Sequence, residues 1–242
     1  ALLEPDVGVQ ACGETGAGRL MDVQEIVTAL ASRFKTASLA GRHIVITAGP
    51  TREAIDPVRY ISNHSSGKQG YALALAGIEA GARVTLISGP TNINPPDRAT
   101  VIAVQSADEM LAAVMSSISD CDIFIGVAAV ADYKPASLER QKIKKSSGNA
   151  MELHLIQNQD ILKTVANLEN RPFTVGFAAE TENVIEHART KLAAKNLDMI
   201  IANNVADTSI GFNSDHNETT IIAKIISGKS TRITENRQTK MS

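Results

Sequence analysis

The sequence predicts an α/β fold in which helices cover both faces of a doubly wound, mostly parallel sheet. Short runs rich in valine, isoleucine and leucine alternate with longer segments whose apolar residues recur at helical spacing. Continuously apolar strands are typical of a sheet that is buried on both faces, and strand–helix alternation is typical of parallel strands. Because ligands of such sheets bind at the carboxyl ends of the strands, we expect the functional residues there.

The predicted elements alternate along most of the chain. Six strands are predicted at residues 43–47, 83–88, 100–104, 122–127, 174–178 and 198–202. Four helices are predicted between them, at residues 66–80, 107–118, 160–168 and 183–194. Antiparallel additions are predicted at residues 151–156 and at a pair, 218–226 and 230–234, that turns at Gly228. This order predicts a Rossmann-like sheet with antiparallel additions.

Composition limits the class of protein. The chain has 242 residues, of which 43% are hydrophobic, so it is long enough to bury a substantial core. A formal net charge of −2 and a pI of about 6.2 predict no basic face for nucleic acid. Cys12 and Cys121 are the only cysteines, which excludes a disulfide framework, and no apolar run is long enough to cross a membrane. We predict a cytoplasmic protein.

The loop after the first predicted strand is the most informative segment. Residues 51–67 contain two arginines, one asparagine, one histidine and three serines. Connections in compact domains are usually about four to six residues long, so a longer polar loop indicates a functional role. The backbone N–H groups ahead of the next helix suit a phosphate or a carboxylate. The alternative is that Ser65 and Ser66 only cap the helix and that the arginines are solvated.

Six blocks of sequence resemble the phosphopantothenoylcysteine synthetase family, the C-terminal half of the bacterial bifunctional coenzyme A biosynthesis protein. A match to one block would be weak, but six occur in the family's order over most of the chain from residue 43 onward. We therefore predict a synthetase domain at residues 39–242. The blocks are residues 47–70, 126–133, 142–145, 176–181, 195–198 and 211–215.

The resemblance implies a ligase that joins 4′-phosphopantothenate to L-cysteine. In this family the substrate carboxylate attacks the α-phosphate of CTP, which gives an acyl-cytidylate and pyrophosphate, and the amine of cysteine then displaces CMP. Both steps bring anions together, so lysines, arginines, backbone amides and Mg²⁺ are the expected means of stabilisation. The resemblance also implies a homodimer. The five histidines have no metal-ligand spacing, and we expect Mg²⁺ to be held mainly by phosphates.

Residues 1–38 do not fit this domain. Residues 10–20 resemble the end of the partner decarboxylase domain, in which the cysteine equivalent to Cys12 is a proton donor. The remainder of that FMN-binding domain is missing, so Cys12 alone cannot support decarboxylation, and FMN belongs only to the missing half. We predict a largely disordered remnant and linker that ends in a short helix at residues 22–31. The start at Ala1 suggests a piece of a longer protein.

The resemblance assigns catalytic roles to Asn63, Arg59 and Lys142. Asn63 matches an asparagine that contacts the acyl group, and a neutral amide both donates and accepts hydrogen bonds. Arg59 is a candidate ligand for the substrate carboxylate or phosphate, because its planar fork binds either one. Lys142 matches a lysine that stabilises the triphosphate. On spacing alone, the run of lysines at residues 142–145 would be a solvated strand face.

Nucleotide binding is assigned to residues at the ends of the middle strands and on the last helix. Small side chains after a strand let a ligand approach the backbone, and lysines four residues apart lie on one face of a helix. Without the resemblance, the two helical lysines would be an ordinary exposed pair. Gln159 stands where the family has proline, so the backbone is less rigid there, but Asp160 still fits as a helix cap and a ligand contact. The assigned residues are Ala128, Ala129, Asp132, Lys142, Asp160, Phe177, Lys191 and Lys195.

Two alternatives remain open at the level of sequence. One is a nucleotide-binding module without catalytic activity, because doubly wound sheets host many functions. It predicts that the arginines of the long loop, Asn63 and Lys142 do not lie around one cleft. The other is a variant of the same ligase that uses ATP. Ordinary P-loop binding is disfavoured, because Gly67 and Lys68 have no glycine at the required upstream position.

Overall fold

A computed structural model describes residues 6–9, 15–19, 37–144, 151–180, 182–204, 218–227 and 230–239. Its elements follow the predicted alternation closely. The strands are β1 Asp6–Val9, β2 Thr15–Arg19, β3 His43–Ala48, β4 Arg52–Ala54, β5 Tyr60–Ser62, β6 Arg83–Ser88, β7 Thr100–Ala103, β8 Ile123–Gly126, β9 Tyr133–Pro135, β10 Leu155–Gln157, β11 Phe173–Glu180, β12 Met199–Asn204, β13 Glu218–Ser227 and β14 Ser230–Thr239. The helices are α1 Lys68–Glu79, α2 Ala107–Ser117, α3 Ile161–Ala166 and α4 Val184–Ala194.

The central sheet of the described residues has eight strands in the order β14-β13-β12-β11-β8-β3-β6-β7. The six strands from β12 to β7 run parallel, and β13 and β14 add to one edge in antiparallel fashion. The predicted α/β fold with a doubly wound, mostly parallel sheet and an antiparallel addition is therefore confirmed. Gly228, the predicted turn between β13 and β14, lies outside the described residues.

Strand β3 lies at the centre of the sheet, and all six of its residues are buried. Its side chains alternate between the two faces, as in any strand. Ile44 and Ile46 pack in one cluster with residues of α1, such as Ala74. Val45 packs on the other face with Met110 of α2 and with α3. Continuous apolar sequence therefore produces one strand that supports two layers of helices.

Helix α1 packs closely on β3 because a glycine lies at the contact. A Cβ atom on Gly70 would lie 2.5 Å from the Cβ of Ala48, which is closer than two carbons can approach. The helix begins after Gly67, which has a φ of 80° and provides no side-chain cap. Ser65 and Ser66 accept hydrogen bonds from the N–H groups of Gly67 and Lys68, so neither serine is the N-cap residue.

Besides β1 and β2, two antiparallel strand pairs lie outside the central sheet, and of their four strands only β10 overlaps a strand predicted from the sequence. Strands β4 and β5 pair within the long polar loop, and the Arg52 guanidinium lies 4.8 Å from the centre of the Tyr60 ring. Strand β10 pairs with β9 in a separate two-stranded sheet. The antiparallel addition predicted at residues 151–156 is thus shorter than expected and does not join the central sheet. Both strand pairs depend on contacts between separate segments, which local periodicity does not reveal.

Strands β1 and β2 pair in antiparallel fashion within the predicted remnant. Residues 6–9 and 15–19 thus form a strand pair, and the largely disordered character of residues 1–38 stays a prediction. The helix predicted at residues 22–31 lies outside the described residues, and the domain boundary at residue 39 stays a prediction. None of the helices in the described part of the chain combines the length and the apolar character needed to cross a membrane.

Candidate active site

The strand order places a cleft between β3 and β8. In the strand order, β6 lies next to β3 toward one lateral edge of the sheet, and β11 lies next to β8 toward the opposite edge. The chain therefore continues in opposite directions after these two strands. The loops after these two neighbouring strands therefore diverge, and a crevice opens between them at the carboxyl ends. Most of the residues assigned from the sequence lie on this edge of the sheet.

Two threonines hold the diverging loops in place. The Oγ1 atom of Thr47 accepts hydrogen bonds from the N–H groups of Val127 and Ala128, at 3.3 and 3.4 Å. The Oγ1 atom of Thr51, which is fully buried, accepts one from the N–H of Ala131 at 3.0 Å. Sequence reasoning assigned no role to either threonine, since a threonine at or just beyond the end of a strand has no distinctive spacing. Their hydroxyls shape the backbone of residues 127–131.

The backbone of Ala129 takes part in the same contact. Its N–H donates to the carbonyl oxygen of Gly49 at 2.9 Å, and its own carbonyl accepts from the N–H of Thr51 at 3.3 Å. Both polar groups of this residue are therefore used within the protein. Ala129 supports the loop, and its predicted contact with nucleotide stays a prediction.

A cavity of about 190 Å³ lies below these loops. Five of the eight residues predicted to bind nucleotide line it, and they come from different parts of the chain: Ala128, Asp132, Asp160, Phe177 and Lys195. The volume is smaller than the roughly 300–1,000 Å³ of typical ligand pockets, so the cavity has room for part of a nucleotide. The remainder of such a ligand would extend over the open edge of the sheet.

Asp160 and Lys195 join two elements at the wall of the cavity. Asp160 is the N-cap residue of α3, as predicted, and accepts a hydrogen bond from the N–H of Lys163 at 2.9 Å. The Nζ atom of Lys195, at the end of α4, lies 2.8 Å from Oδ2 of Asp160. Burial alone raises the pKa of Asp160, but Lys195 and the Lys163 N–H outweigh it and lower the pKa below its ordinary value. The carboxylate is therefore ionised at neutral pH.

Asn158 is a cavity residue that sequence reasoning missed. Its side chain is buried, and its Nδ2 atom donates to the carbonyl oxygen of Ala131 at 2.8 Å. Its Oδ1 atom is buried without a hydrogen-bond partner among the described residues. Buried amide oxygens are nearly always paired, so this unpaired oxygen is an unusual feature of a residue that lines the cavity. The signal in the sequence was its place beside Gln159 and Asp160, in a segment that resembles Asn-Pro-Asp of the family, but no role was assigned to it.

Asn63 lies at the mouth of the cleft. Its side chain is exposed, and its Nδ2 atom donates to the carbonyl oxygen of Val130 at 3.0 Å. Val130 itself lines the cavity. The structure thus brings the asparagine of the first loop against the loop that follows β8. One N–H and the Oδ1 atom of Asn63 remain in addition to this hydrogen bond.

Arg59 is engaged within the protein. Its Nη2 atom donates to Oδ2 of Asp56 at 2.5 Å and to the carbonyl oxygen of Ile143 at 2.8 Å, and its Nε atom donates to Asp56 at 3.0 Å. The fork that was expected to face a substrate carboxylate thus faces a carboxylate of the chain itself. Substrate binding by Arg59 stays a prediction, and its described contacts are structural.

The two remaining lysines lie away from the cavity lining. Lys142 is exposed and precedes Ile143, which contacts Asp56 and Arg59. Lys191 is exposed on α4, one helical turn before Lys195, and only Lys195 of this pair is among the described lining residues. Cys12 lies outside the described residues. No group of three or more histidine, cysteine, aspartate or glutamate residues in the described ranges is placed to hold a metal ion.

The family profile of the DNA/pantothenate metabolism flavoprotein C-terminal domain matches residues 39–241. The chain belongs to this family. Coenzyme A biosynthesis bifunctional protein CoaBC of Vibrio cholerae is 52% identical over 222 residues, which cover 91% of this chain and 56% of that protein. The chain thus spans about half the length of the curated relatives it matches.

Solved structures of similar fold support the assignment to this family. The crystal structure of the C-terminal domain of CoaBC superposes with a TM-score of 0.67 at 40% identity, over 83% of this chain and 88% of that one. A Cab2 mutant in complex with phosphopantothenate-cysteine has a TM-score of 0.63 at 16% identity, over 89% of this chain and 87% of that one, which shows the fold alone. The resemblance to the C-terminal half of CoaBC, first seen in six short blocks, is confirmed.

Proposed function

We propose that this domain ligates 4′-phosphopantothenate to L-cysteine in a CTP-dependent reaction that passes through an acyl-cytidylate. The observation that carries the proposal is the convergence of polar groups on one cleft, where Asn63 is the one member of the predicted catalytic set among the described contacts, while Arg59 and Lys142 lie outside the cavity lining. Asn63 contacts the loop of Val130, and Asp132, Asn158 and Lys195 line the cavity beneath that loop. A pocket lined by polar groups from three distant segments, with Asn63 at its mouth, argues for a small-molecule site.

The base of the nucleotide fits the closed part of the cavity best. The exocyclic amine of cytosine needs an acceptor, and the free Oδ1 atom of Asn158 is a buried acceptor that faces no other donor among the described residues. Phe177 offers an apolar surface nearby. A triphosphate then extends toward the open edge, where Lys195 supplies positive charge. The long side chain of Lys142 supplies a second positive charge by reaching along the cleft.

In the first step, a carboxylate oxygen of phosphopantothenate attacks the α-phosphorus of CTP, and the bond to the pyrophosphate group breaks. The chain's contribution is to hold two anions together, because their mutual repulsion is the main barrier to approach. Lys142 is proposed to stabilise the triphosphate during this attack. Asn63 is proposed to orient the acyl group through its remaining N–H.

In the second step, the amine of cysteine attacks the acyl carbon, the bond to the CMP oxygen breaks, and the nitrogen loses a proton. Asn63 suits this step as well, since its Oδ1 atom accepts a hydrogen bond from an amine while its N–H donates to the acyl oxygen. An aspartate at this position would repel the substrate carboxylate. The products are phosphopantothenoylcysteine, CMP and pyrophosphate.

Mg²⁺ fits this site as a partner of the triphosphate. The carboxylate of Asp132 lines the cavity, but the described residues build no cluster that would hold the ion alone. When bound, the ion supplies charge neutralisation to the phosphate oxygens. We further propose that the active form is a homodimer and that the parent protein also carries an FMN-dependent decarboxylase.

The decisive experiment withholds cysteine. The protein is incubated with CTP, Mg²⁺ and phosphopantothenate, and we expect pyrophosphate together with an acyl-cytidylate that is detected by mass spectrometry. Added cysteine should convert this intermediate to the amide with release of CMP. A parallel incubation replaces CTP with ATP, and pyrophosphate formed only with ATP identifies the ATP-using variant. A folded dimer that binds nucleotide but releases no pyrophosphate would identify a binding module instead.

A further inference from the structure

Asp56 is a buried carboxylate outside the cavity, and the reaction proposed above does not use it. It lies in the turn between β4 and β5, and its side chain has no accessible surface. Its Oδ1 atom accepts hydrogen bonds from the N–H groups of Val58 and Arg59, at 2.8 and 2.9 Å. These two bonds are local, and they would be sufficient to shape the turn.

The second oxygen of Asp56 reaches a segment more than 80 residues away. Oδ2 accepts from the Arg59 side chain and also from the N–H of Ile143 at 3.1 Å. Arg59 in turn donates to the carbonyl oxygen of Ile143 at 2.8 Å. Both backbone polar groups of Ile143 are therefore held by one ion pair. A third bond, from the N–H of Glu139 to the carbonyl oxygen of Ile55 at 3.1 Å, fixes the same segment four residues earlier.

Lys142 lies between these two fixed points and next to Ile143. Apart from these bonds, residues 139–144 belong to no helix or strand and have mostly exposed side chains. An exposed lysine on a flexible stem loses conformational freedom when it must meet a phosphate, and that loss weakens its effect. A backbone that is already fixed reduces the loss, and small errors of placement are costly in catalysis.

The carboxylate is well suited to a permanent contact. Burial alone raises the pKa of Asp56, but the Arg59 side chain and three backbone N–H groups outweigh it and hold the pKa far below its ordinary value. The group therefore stays ionised over the whole neutral range. An ion pair whose carboxylate is buried with both oxygens in hydrogen bonds is geometrically specific, whatever its net contribution to stability.

We propose that Asp56 and Arg59 form a clasp that acts through the backbone of Ile143 to position Lys142, so that Lys142 stabilises the triphosphate of CTP while the substrate carboxylate attacks the α-phosphate. This inference rests on the proposed function. Asp56 is a positioning residue: it acts through Lys142 and contacts no substrate. The clasp also explains why an arginine in the functional loop contacts a carboxylate of the chain rather than the cavity.

The first arm of the test needs no activity. Amide hydrogen exchange is measured on the full chain and on Asp56→Asn, and we expect protection at Ile143 to fall at least tenfold in the variant. Asp198→Asn is the matched control, because it removes another carboxylate paired with an arginine, at the opposite end of the sheet. The control should leave the exchange protection of the Ile143 amide unchanged. Equal protection in Asp56→Asn and in the wild type would overturn the clasp.

The second arm is a double-mutant cycle on pyrophosphate release. Asp56→Asn should lower kcat of the first step about tenfold, and Lys142→Ala should lower it further. In the Lys142→Ala background, Asp56→Asn should have no additional effect, because the residue through which it acts is gone. Effects that multiply in full would show that Asp56 acts independently of Lys142, which overturns the proposal.

A conservative variant separates positioning from folding. Arg59→Lys keeps the charge but cannot bind Asp56 and Ile143 with one planar fork. It should therefore lower the protection of Ile143 and kcat of the first step, each by less than Asp56→Asn does. It replaces Asp56→Asn if that variant does not fold. A wild-type chain without pyrophosphate release overturns the proposed function and the catalytic role of the clasp together. Loss of Ile143 protection would then still support the clasp as the anchor of residues 139–143.

Discussion

Charged side chains lie against one another at the amino end of the central sheet, whereas at the carboxyl end they surround a cleft. Ion pairs at the amino end join Arg42 to Asp122 at 2.8 Å, Arg83 to Asp120 at 2.5 Å, and Arg171 to Asp198 at 2.5 Å. At the carboxyl end, Lys195 pairs with Asp160, while Lys142 and Asp132 are exposed.

His43 illustrates how the polar groups at the amino end pair with each other. It is buried at the start of β3, its N–H donates to Asp122 at 2.8 Å, and its ring lies between Asp120 and the hydroxyl of Thr85. Asn158 illustrates the opposite condition at the carboxyl end, since its buried oxygen has no partner in the described chain. Polar groups that satisfy each other stabilise a fold, and polar groups left available can bind a ligand.

Replacing Lys142 should give the largest effect and should affect rate alone. Lys142→Ala removes a charge proposed to stabilise the triphosphate, so the first step should slow by about 10²- to 10³-fold. The exposed side chain predicts an unchanged urea midpoint. Lys144→Ala, an exposed lysine two residues away, is the control for net charge. Equal losses in both variants would show that only the overall charge of this segment matters.

A substitution at the amino end should lower stability and leave the reaction rate unchanged. Asp198→Asn should lower the free energy of unfolding by about 2 kcal/mol, because Asp198 accepts hydrogen bonds from the Arg171 side chain and the N–H of Thr174. The rate of pyrophosphate release at 25 °C should not change. Urea denaturation and a pyrophosphate assay on the same sample measure both quantities, and a slower first step in a fully folded variant would contradict the comparison.

The same pair predicts how stability depends on pH. Burial alone raises the pKa of Asp198, but Arg171 and the Thr174 N–H outweigh it and lower the pKa below its ordinary value. The pair therefore contributes fully above the unfolded pKa of about 3.9, and its contribution is lost as pH falls through the folded pKa. The difference between wild type and Asp198→Asn should be constant from pH 8 to pH 5 and should shrink below about pH 4.

Asn158→Ala should weaken CTP binding about tenfold, which corresponds to the loss of one hydrogen bond to the ligand. Titration calorimetry measures the dissociation constant. Asn167→Ala is the matched control, because that asparagine also donates to a backbone carbonyl but lies outside the cavity lining. If both variants bind CTP as the wild type does, the free oxygen of Asn158 does not contact the nucleotide.

The smallest effect is expected for the exposed pair at the amino end. The side chain of Arg42 is 62% exposed, so Arg42→Ala should change the free energy of unfolding by less than about 0.5 kcal/mol. Urea denaturation at low salt is the measurement. A larger loss would show that the amino-end ion pairs act as one network rather than as separate contacts.

Much of the fold was predictable from local pattern. The predicted strand at residues 83–88 matches β6, and the helix predicted at residues 107–118 matches α2 within one residue. Buried strands must be apolar along their whole length, and helices must bury one face, so both patterns are visible in a few neighbouring residues. The position of the cleft followed from the same reasoning, because parallel strands place their carboxyl ends on one edge.

Amino-acid order alone therefore established the layers, the central strands and the edge at which a ligand would bind. The folded molecule decided which polar groups pair with each other and which line the cleft. Arg59 was assigned to a substrate, yet in the structure it holds Asp56 and Ile143, and the free oxygen of Asn158 was not foreseen. The physical reason is distance along the chain: periodicity reports burial, a local property, whereas a hydrogen bond across 80 residues exists only once packing brings its two atoms together.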